Sequence, residues 1–271
     1  MQERHEYPTA VPCWVDVESP DPAGAAAFYA GLFGWTFEER AGYRVGRLRG
    51  GEVAGIGPAS PDPGWHMYVR VSDVAEAAAK VTAAGGAVVR EPYEVPGVAR
   101  VAVCADPAGA RFRAWEPAGI EGARLVNESG TWNFNELNTR DFDGAKDFYG
   151  TVFGWEASAL EFEGGSFTMW RRPGYADFLE TIDPGVRRRH QEAGAPPGFT
   201  DAVGWMQEPA GEDQPAHWSV TFAVDDADAT AQRAERLGGT VVVPPFDAGP
   251  SRIAVLRDPQ GAVFTANRYN G

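Results

Sequence analysis

Apolar and polar residues along this chain alternate in period-two runs broken by helical stripes, and the same succession occurs twice. PCWVDV at 12–17 predicts a strand, because every second residue can face one side of a sheet. In the segment 21–35, Phe28, Tyr29, Leu32 and Phe33 have the i, i+1, i+4, i+5 spacing of one buried helix face. Asp21 or Ser19 can cap this helix and Gly34 stops it. Strand-like runs around 43–48 and 52–56 flank Gly50-Gly51, a hairpin turn. HMYVRV at 66–71 predicts a further strand, followed by a helix from Asp73 to about Ala84 that closes at Gly85-Gly86. A short strand at 87–90 precedes two more at 99–104 and 110–115, joined by the turn Asp106-Pro107-Ala108-Gly109.

The second succession repeats the letters as well as the pattern. FYAGLFGW at 28–35 returns as FYGTVFGW at 148–155, and ARVAVCADPAG at 99–109 returns as SRIAVLRDPQG at 251–261. A repeat of this size predicts two copies of one domain. The expected boundaries are 8–118 and 130–271, with a linker at 119–129 rich in Gly and small residues. The second copy carries about 32 extra residues, at about 171–209. That length predicts either a lid with its own helix or a domain-packing segment.

Composition narrows the function. The chain has 271 residues, 44% hydrophobic and 23% charged, the profile of a soluble globular protein with two cores. A net charge of −14 argues against a nucleic-acid partner, which needs a basic face. Arg187-Arg188-Arg189 reads as a solvated helix face. No apolar run is long enough to span a membrane and the N-terminus has no signal-peptide core, so a cytoplasmic monomer or homodimer is expected. Cys13 and Cys104 lie in strand runs and read as reduced core residues. No dinucleotide fingerprint, phosphate-cradling glycine loop or Ser-His-Asp order is present, and no cofactor is expected.

Phe28-Tyr29…Gly34-Trp35, Val71-Ser72-Asp73, Gly85-Gly86 and Asp106-Pro107-Ala108-Gly109, with their counterparts in the second copy, resemble the vicinal oxygen chelate superfamily. That superfamily includes glyoxalase I, the bleomycin-resistance proteins and the extradiol dioxygenases. The run Gly174-Tyr175-Ala176-Asp177-Phe178 is similar to an actinobacterial tandem subgroup called glyoxalase-like or hydroxylase. The resemblance implies an α+β fold: tandem domains, each of two paired βαβββ units forming a half-open eight-stranded barrel around a ligand cavity. It also implies four metal-ligand positions per domain. Here they fall at about Pro12, within 53–58, at His66 and at Arg113, and in the second copy at Trp132, Ser219 and Thr265. His66 is the one metal-binding side chain among these, so no metal is expected.

If those positions face inward, alternation selects Trp14 and Asp16, His66 and Tyr68, and Arg113 and Trp115 for the first cavity. For the second it selects Trp132, Phe134 and Glu136, with Ser219, Thr221, Thr265 and Asn267. Such sets suit a flat, partly apolar small molecule. Asp16, His66 and Glu136 are the candidate acid–base groups. Asp16 and Glu136 also have a structural reading, as carboxylates paired with a neighbour such as Arg113. Two functions stay open: a metal-free binder of an aromatic, polyketide-like metabolite or antibiotic, and an enzyme. The enzyme would be a metal-dependent glyoxalase-type lyase or isomerase, or a biosynthetic enzyme using the cavity acids and histidine.

Overall fold

The computed structural model describes residues 3–61, 63–162 and 165–269. The first half runs β1 (Pro12–Ser19), α1 (Pro22–Phe33), β2 (Thr36–Arg40), β3 (Tyr43–Leu48) and β4 (Gly51–Ala59). It continues with β5 (Gly64–Arg70), α2 (Val74–Ala83), β6 (Ala87–Val95), β7 (Ala99–Ala105) and β8 (Arg111–Pro117). The second half repeats this with β9 (Thr131–Asn138), α3 (Phe142–Phe153), β10 (Glu156–Phe162) and β11 (Gly165–Arg171). Two short helices follow, α4 (Tyr175–Ile182) and α5 (Val186–Glu192), with a 3-10 turn at Phe199–Asp201. The second half then completes its plan with β12 (Ala202–Gln207), β13 (His217–Ala223), α6 (Ala227–Arg236), β14 (Thr240–Ala248), β15 (Ser251–Arg257) and β16 (Val263–Tyr269). The strand β2 carries no clear alternation and was not legible in the sequence pattern.

Each half forms one eight-stranded mixed sheet, in the order β2-β3-β4-β1-β5-β8-β7-β6 and its equivalent β10-β11-β12-β9-β13-β16-β15-β14. The two βαβββ units of a half meet where β1 and β5 run antiparallel. Within a unit the first and last strands are parallel, which requires a crossover, and the helix supplies it. The result is an α+β protein of two half-open barrels in tandem, helices outside and a concave face within.

Local chemistry sets the helices. The Asp21 carboxylate accepts from the Gly24 amide at 3.0 Å, with Pro22 in the first turn, and Asp141 caps α3 in the same way. The predicted stripe Phe28, Tyr29, Leu32 and Phe33 is buried, as is Phe148, Tyr149, Val152 and Phe153. Both stripes lie in the junction between the halves. Tyr29 donates to Asp258 in the last turn of the second half, and Tyr149 donates to Asp106 in the matching turn of the first. Trp35 donates to the Gly130 carbonyl and Trp155 to that of Ala10, each at 2.7 Å. Helix α1 packs on α6, and α2 on α3. Gly86 is part of this fit, since a Cβ there would stand 2.7 Å from the Phe148 ring. The two repeated sequence blocks therefore bind each other across the two halves.

Candidate functional site

The concave face of the first half is closed by its own side chains. On β1, Trp14 and Asp16 stand opposite Tyr68 and His66 of β5, and Tyr68 lies beside Arg113 of β8. Arg113 Nη1 donates to the Tyr68 hydroxyl at 2.6 Å and to Asp16 Oδ1 at 3.3 Å, while its other terminal nitrogen reaches Glu18. The hydroxyls of Tyr68 and Tyr43 both donate to Asp16 Oδ2, and Trp14 Nε1 donates to the Tyr43 oxygen at 2.8 Å. Trp14 stacks on Trp115 with ring centres 5.7 Å apart, and Tyr68 meets Trp115 edge-on. Asp16 is 1% exposed and Arg113 5%. Apart from Arg113 Nε, which is buried without a partner, this ion pair is tied in by hydrogen bonds from Tyr43, Tyr68 and Trp14, and such a network holds its shape. Room for Tyr43 comes from Gly55, where any Cβ would collide with the Tyr43 hydroxyl.

Burial pushes the Asp16 carboxyl above its ordinary range, against the pull of Arg113 and the two tyrosines. Burial also pushes the His66 imidazole well below its ordinary range, with Arg113 and Arg111 adding to the effect. His66 Nε2 is 3.9 Å from Glu18 and makes no hydrogen bond. Asp16, Tyr68 and Arg113 converge on one another, and His66 stands opposite Asp16 in register with its Nε2 unpaired.

The second half keeps the acid and removes the plug. Phe134 and Glu136 on β9 stand opposite Thr221 and Ser219 on β13, and Thr221 lies beside Thr265 on β16, with Asn267 two pairs further on. By register, Thr221 replaces Tyr68, Thr265 replaces Arg113 and Asn267 replaces Trp115. Trp205 stands beside Glu136 where Gly55 stands beside Asp16. Phe167, at the place of Tyr43, is 41% exposed. The space that Tyr68, Arg113 and Trp115 fill in the first half is thus lined here by short side chains.

An apolar wall continues from this cleft. Val243 and Phe246 on β14 are 38% and 43% exposed, and Val263 on β16 is 42% exposed. The inserted segment covers the opposite side. The Phe199 ring lies 6.2 Å from those of Phe134 and Trp205, and His190 backs it at 5.1 Å. The segment is tied to the first half by Arg4, which lies over the rings of Tyr7 and Tyr175 and donates to the Tyr175 hydroxyl. Tyr7 in turn donates to the Ala123 carbonyl.

Glu136 is half-buried, and its carboxylate is met by Ser219 Oγ and Gln207 Nε2, each at 3.5 Å. Both partners are neutral. Burial pushes its carboxyl above the ordinary range, with only the Ser219 hydroxyl opposing. Thr221 Oγ1 and Asn267 Oδ1 are buried without a hydrogen-bond partner. Unmade bonds of this kind are costly, and a ligand that supplies donors recovers the loss.

Trp132, expected by alternation to line this cleft, lies on the other face, where its Nε1 donates to the Asn135 side chain at 3.2 Å. The cause is a bulge: the register shifts between the pairs Phe134–Thr221 and Trp132–Phe222, leaving Asn133 as an extra residue. Tyr43, Glu18, Trp205 and Phe246 belong to the two faces and were not selected from sequence. Strand alignment of the repeat against itself, which sets Gly55 against Trp205, carries that signal.

A divalent ion in this fold needs three or more N or O donors with places left open. Among the described residues no three His, Cys, Asp or Glu side chains stand close enough to hold one. In the first half the Arg113 guanidinium occupies the space between Asp16 and Glu18, and in the second Glu136 is surrounded by hydroxyls and amides. The donor sets do not fit a metal.

Comparison with known proteins agrees with this geometry in fold. A family model described as a glyoxalase-like domain matches residues 14–115. One described as the glyoxalase/bleomycin resistance protein/dioxygenase superfamily matches residues 133–265. A putative glyoxylase, CFP32, of Mycobacterium tuberculosis is 36% identical over 98% of this chain and 97% of its own. The anthracycline biosynthesis protein DnrV of Streptomyces peucetius is 33% identical over 96% of this chain and 93% of its own. Among solved structures, a Mn(II)-bound glyoxalase from Novosphingobium aromaticivorans superposes with a TM-score of 0.62 at 18% identity, over 99% of this chain and 83% of that one. The 2,3-dioxygenase LapB from Pseudomonas sp. KL28 gives 0.62 at 14% identity, over 96% and 93%.

Proposed function

This chain belongs to the glyoxalase/bleomycin resistance protein/dioxygenase superfamily, and on that premise we propose that it binds a ring-bearing small molecule, without a metal, in the concave face of its second half. The observation that carries this reading is the asymmetry of the two faces. Tyr68, Arg113 and Trp115 plug the first, and the shorter Thr221, Thr265 and Asn267 stand at those places in the second, near the exposed Phe246. The first half then serves as the rigid body on which the second is built. A relative named for anthracycline biosynthesis fits a role in making or handling a small metabolite.

A titration with a panel of aromatic compounds, followed by tryptophan fluorescence, tests this. Saturable binding with one site per chain, unchanged by chelator and weakened by Trp205→Ala, is the expected result. No binding across the panel overturns the reading, as does stoichiometric Zn, Ni, Fe or Mn in the purified protein together with loss of binding on chelation.

Glu136 supports a second reading, an acid–base enzyme. A carboxyl that burial raises above its usual range, meeting two neutral groups among the described residues, is a candidate to take or give a proton. Turnover of a bound compound that disappears in Glu136→Gln while binding persists would select this reading.

A further inference from the structure

The first half contains a worked example of what fits the second. Its acid, Asp16, is matched by a planar cation, the Arg113 guanidinium, whose carbon lies 5.3 Å from the centre of the Tyr68 ring. Tyr68 and Trp14 both pack on Trp115, so a positive charge and a stack of rings together fill the cup. In the second half the acid stays at the same register, as Glu136, while the cation becomes Thr265 and two of the rings become Thr221 and Asn267. What has been removed is a positive charge carried next to an apolar, ring-bearing body.

We infer that the ligand of the second half supplies that missing group: an ammonium or amidinium attached to a ring system, with its charge paired to Glu136. This deepens the proposed function and rests on it. Among the described residues the Glu136 carboxylate meets two neutral groups, each at 3.5 Å, and no cation pairs with it. Arg171, two strands away on β11, is already paired with Glu156 at 3.0 Å. The unpartnered Thr221 Oγ1 and Asn267 Oδ1 are oxygens that can accept from N–H groups. Val243, Phe246 and Val263 supply the wall against which the ring body lies. A net charge of −14 adds attraction for a cation at longer range.

The test is a matched pair of probes, 2-naphthylmethylamine and 2-naphthylmethanol, titrated by calorimetry into the full chain and into Glu136→Gln and Thr265→Arg. Far-ultraviolet circular dichroism and melting curves establish that each variant is folded. The amine should bind the wild type at least about tenfold more tightly than the alcohol, the ordinary gain of a charge-assisted hydrogen bond in a desolvated site. That preference should fall to near unity in Glu136→Gln. Thr265→Arg restores the internal cation and should weaken the amine more than the alcohol. Equal saturable binding of both probes to the wild type overturns the charge assignment and leaves the ring-binding reading standing. An amine preference that survives in Glu136→Gln, or amine binding untouched in Thr265→Arg, also overturns it. Binding of neither probe overturns the charge assignment, and if the aromatic panel also fails to bind, the ring-binding reading falls with it.

Discussion

The Tyr29 hydroxyl donates to Oδ2 of Asp258 at 2.9 Å, across 229 positions of sequence, while Trp65 Nε1 donates to the same hydroxyl oxygen from within the first half. Tyr149, Asp106 and Trp218 repeat the arrangement with the halves exchanged, at 3.1 and 2.8 Å. Each tyrosine is thus fixed by a tryptophan of its own half and an aspartate of the other. The strongest sequence repeats in the chain record how the two halves dock, and the halves differ at Tyr68, Arg113 and Trp115, which become Thr221, Thr265 and Asn267.

Tyr29→Phe and Tyr149→Phe should each destabilise the chain by about 1–3 kcal/mol, because a buried carboxylate oxygen loses its donor without gaining water. The losses should be similar and nearly additive, since the two bonds sit at separate places in the junction. Urea unfolding of the single and double variants measures both quantities.

Asp16→Asn and Glu136→Gln should change stability in opposite directions at neutral pH. The first strands Arg113 in a buried network and should cost about 3–5 kcal/mol. The second removes a carboxyl whose value in the fold is raised by burial. Such a group is indifferent well below the ordinary carboxylate range, and it costs stability as pH rises from its unfolded value through its folded one. Glu136→Gln should therefore melt above the wild type at pH 7, by roughly 1–3 °C, and match it in acid. Thermal unfolding across pH follows this directly, and a variant that melts below the wild type at pH 7 would contradict the assignment.

Loosening the inserted segment should affect the cleft it covers. Phe199→Ala removes ring contacts to Phe134 and Trp205 and should weaken aromatic ligands about three- to tenfold, the usual worth of such a pair. Arg4→Ala acts at a distance, by releasing Tyr175 from the N-terminal segment. Limited proteolysis should cut within 171–209 faster in that variant, with the sheets left intact.

Neither cysteine should react with thiol reagents in the native protein at pH 8. Burial pushes the Cys104 thiol up to about 12 and holds that of Cys13 well above its ordinary value, so almost no thiolate forms. Both thiols should become titratable with Ellman's reagent only after unfolding in guanidinium.

The sequence by itself determined the tandem plan. Period-two alternation at 12–17 and 66–71, the stripes at Phe28 and Phe148 and the turns at Asp106 and Asp258 are local burial and turn chemistry, which a chain displays without its tertiary neighbours. It also placed Asp16 and Glu136 at equivalent register positions on equivalent strands. Tertiary structure decided which face is plugged by its own side chains. Tyr43 can fill the first cup only because Gly55, on the paired strand, has no side chain in its way, and Trp205 takes that place in the second. Trp132 leaves the cleft because one extra residue, Asn133, shifts the register, and a one-residue shift turns a strand side chain to the opposite face. Alternation is a property of a single strand, but the filling of a cup depends on several strands meeting in register. Only the folded sheet sets that register.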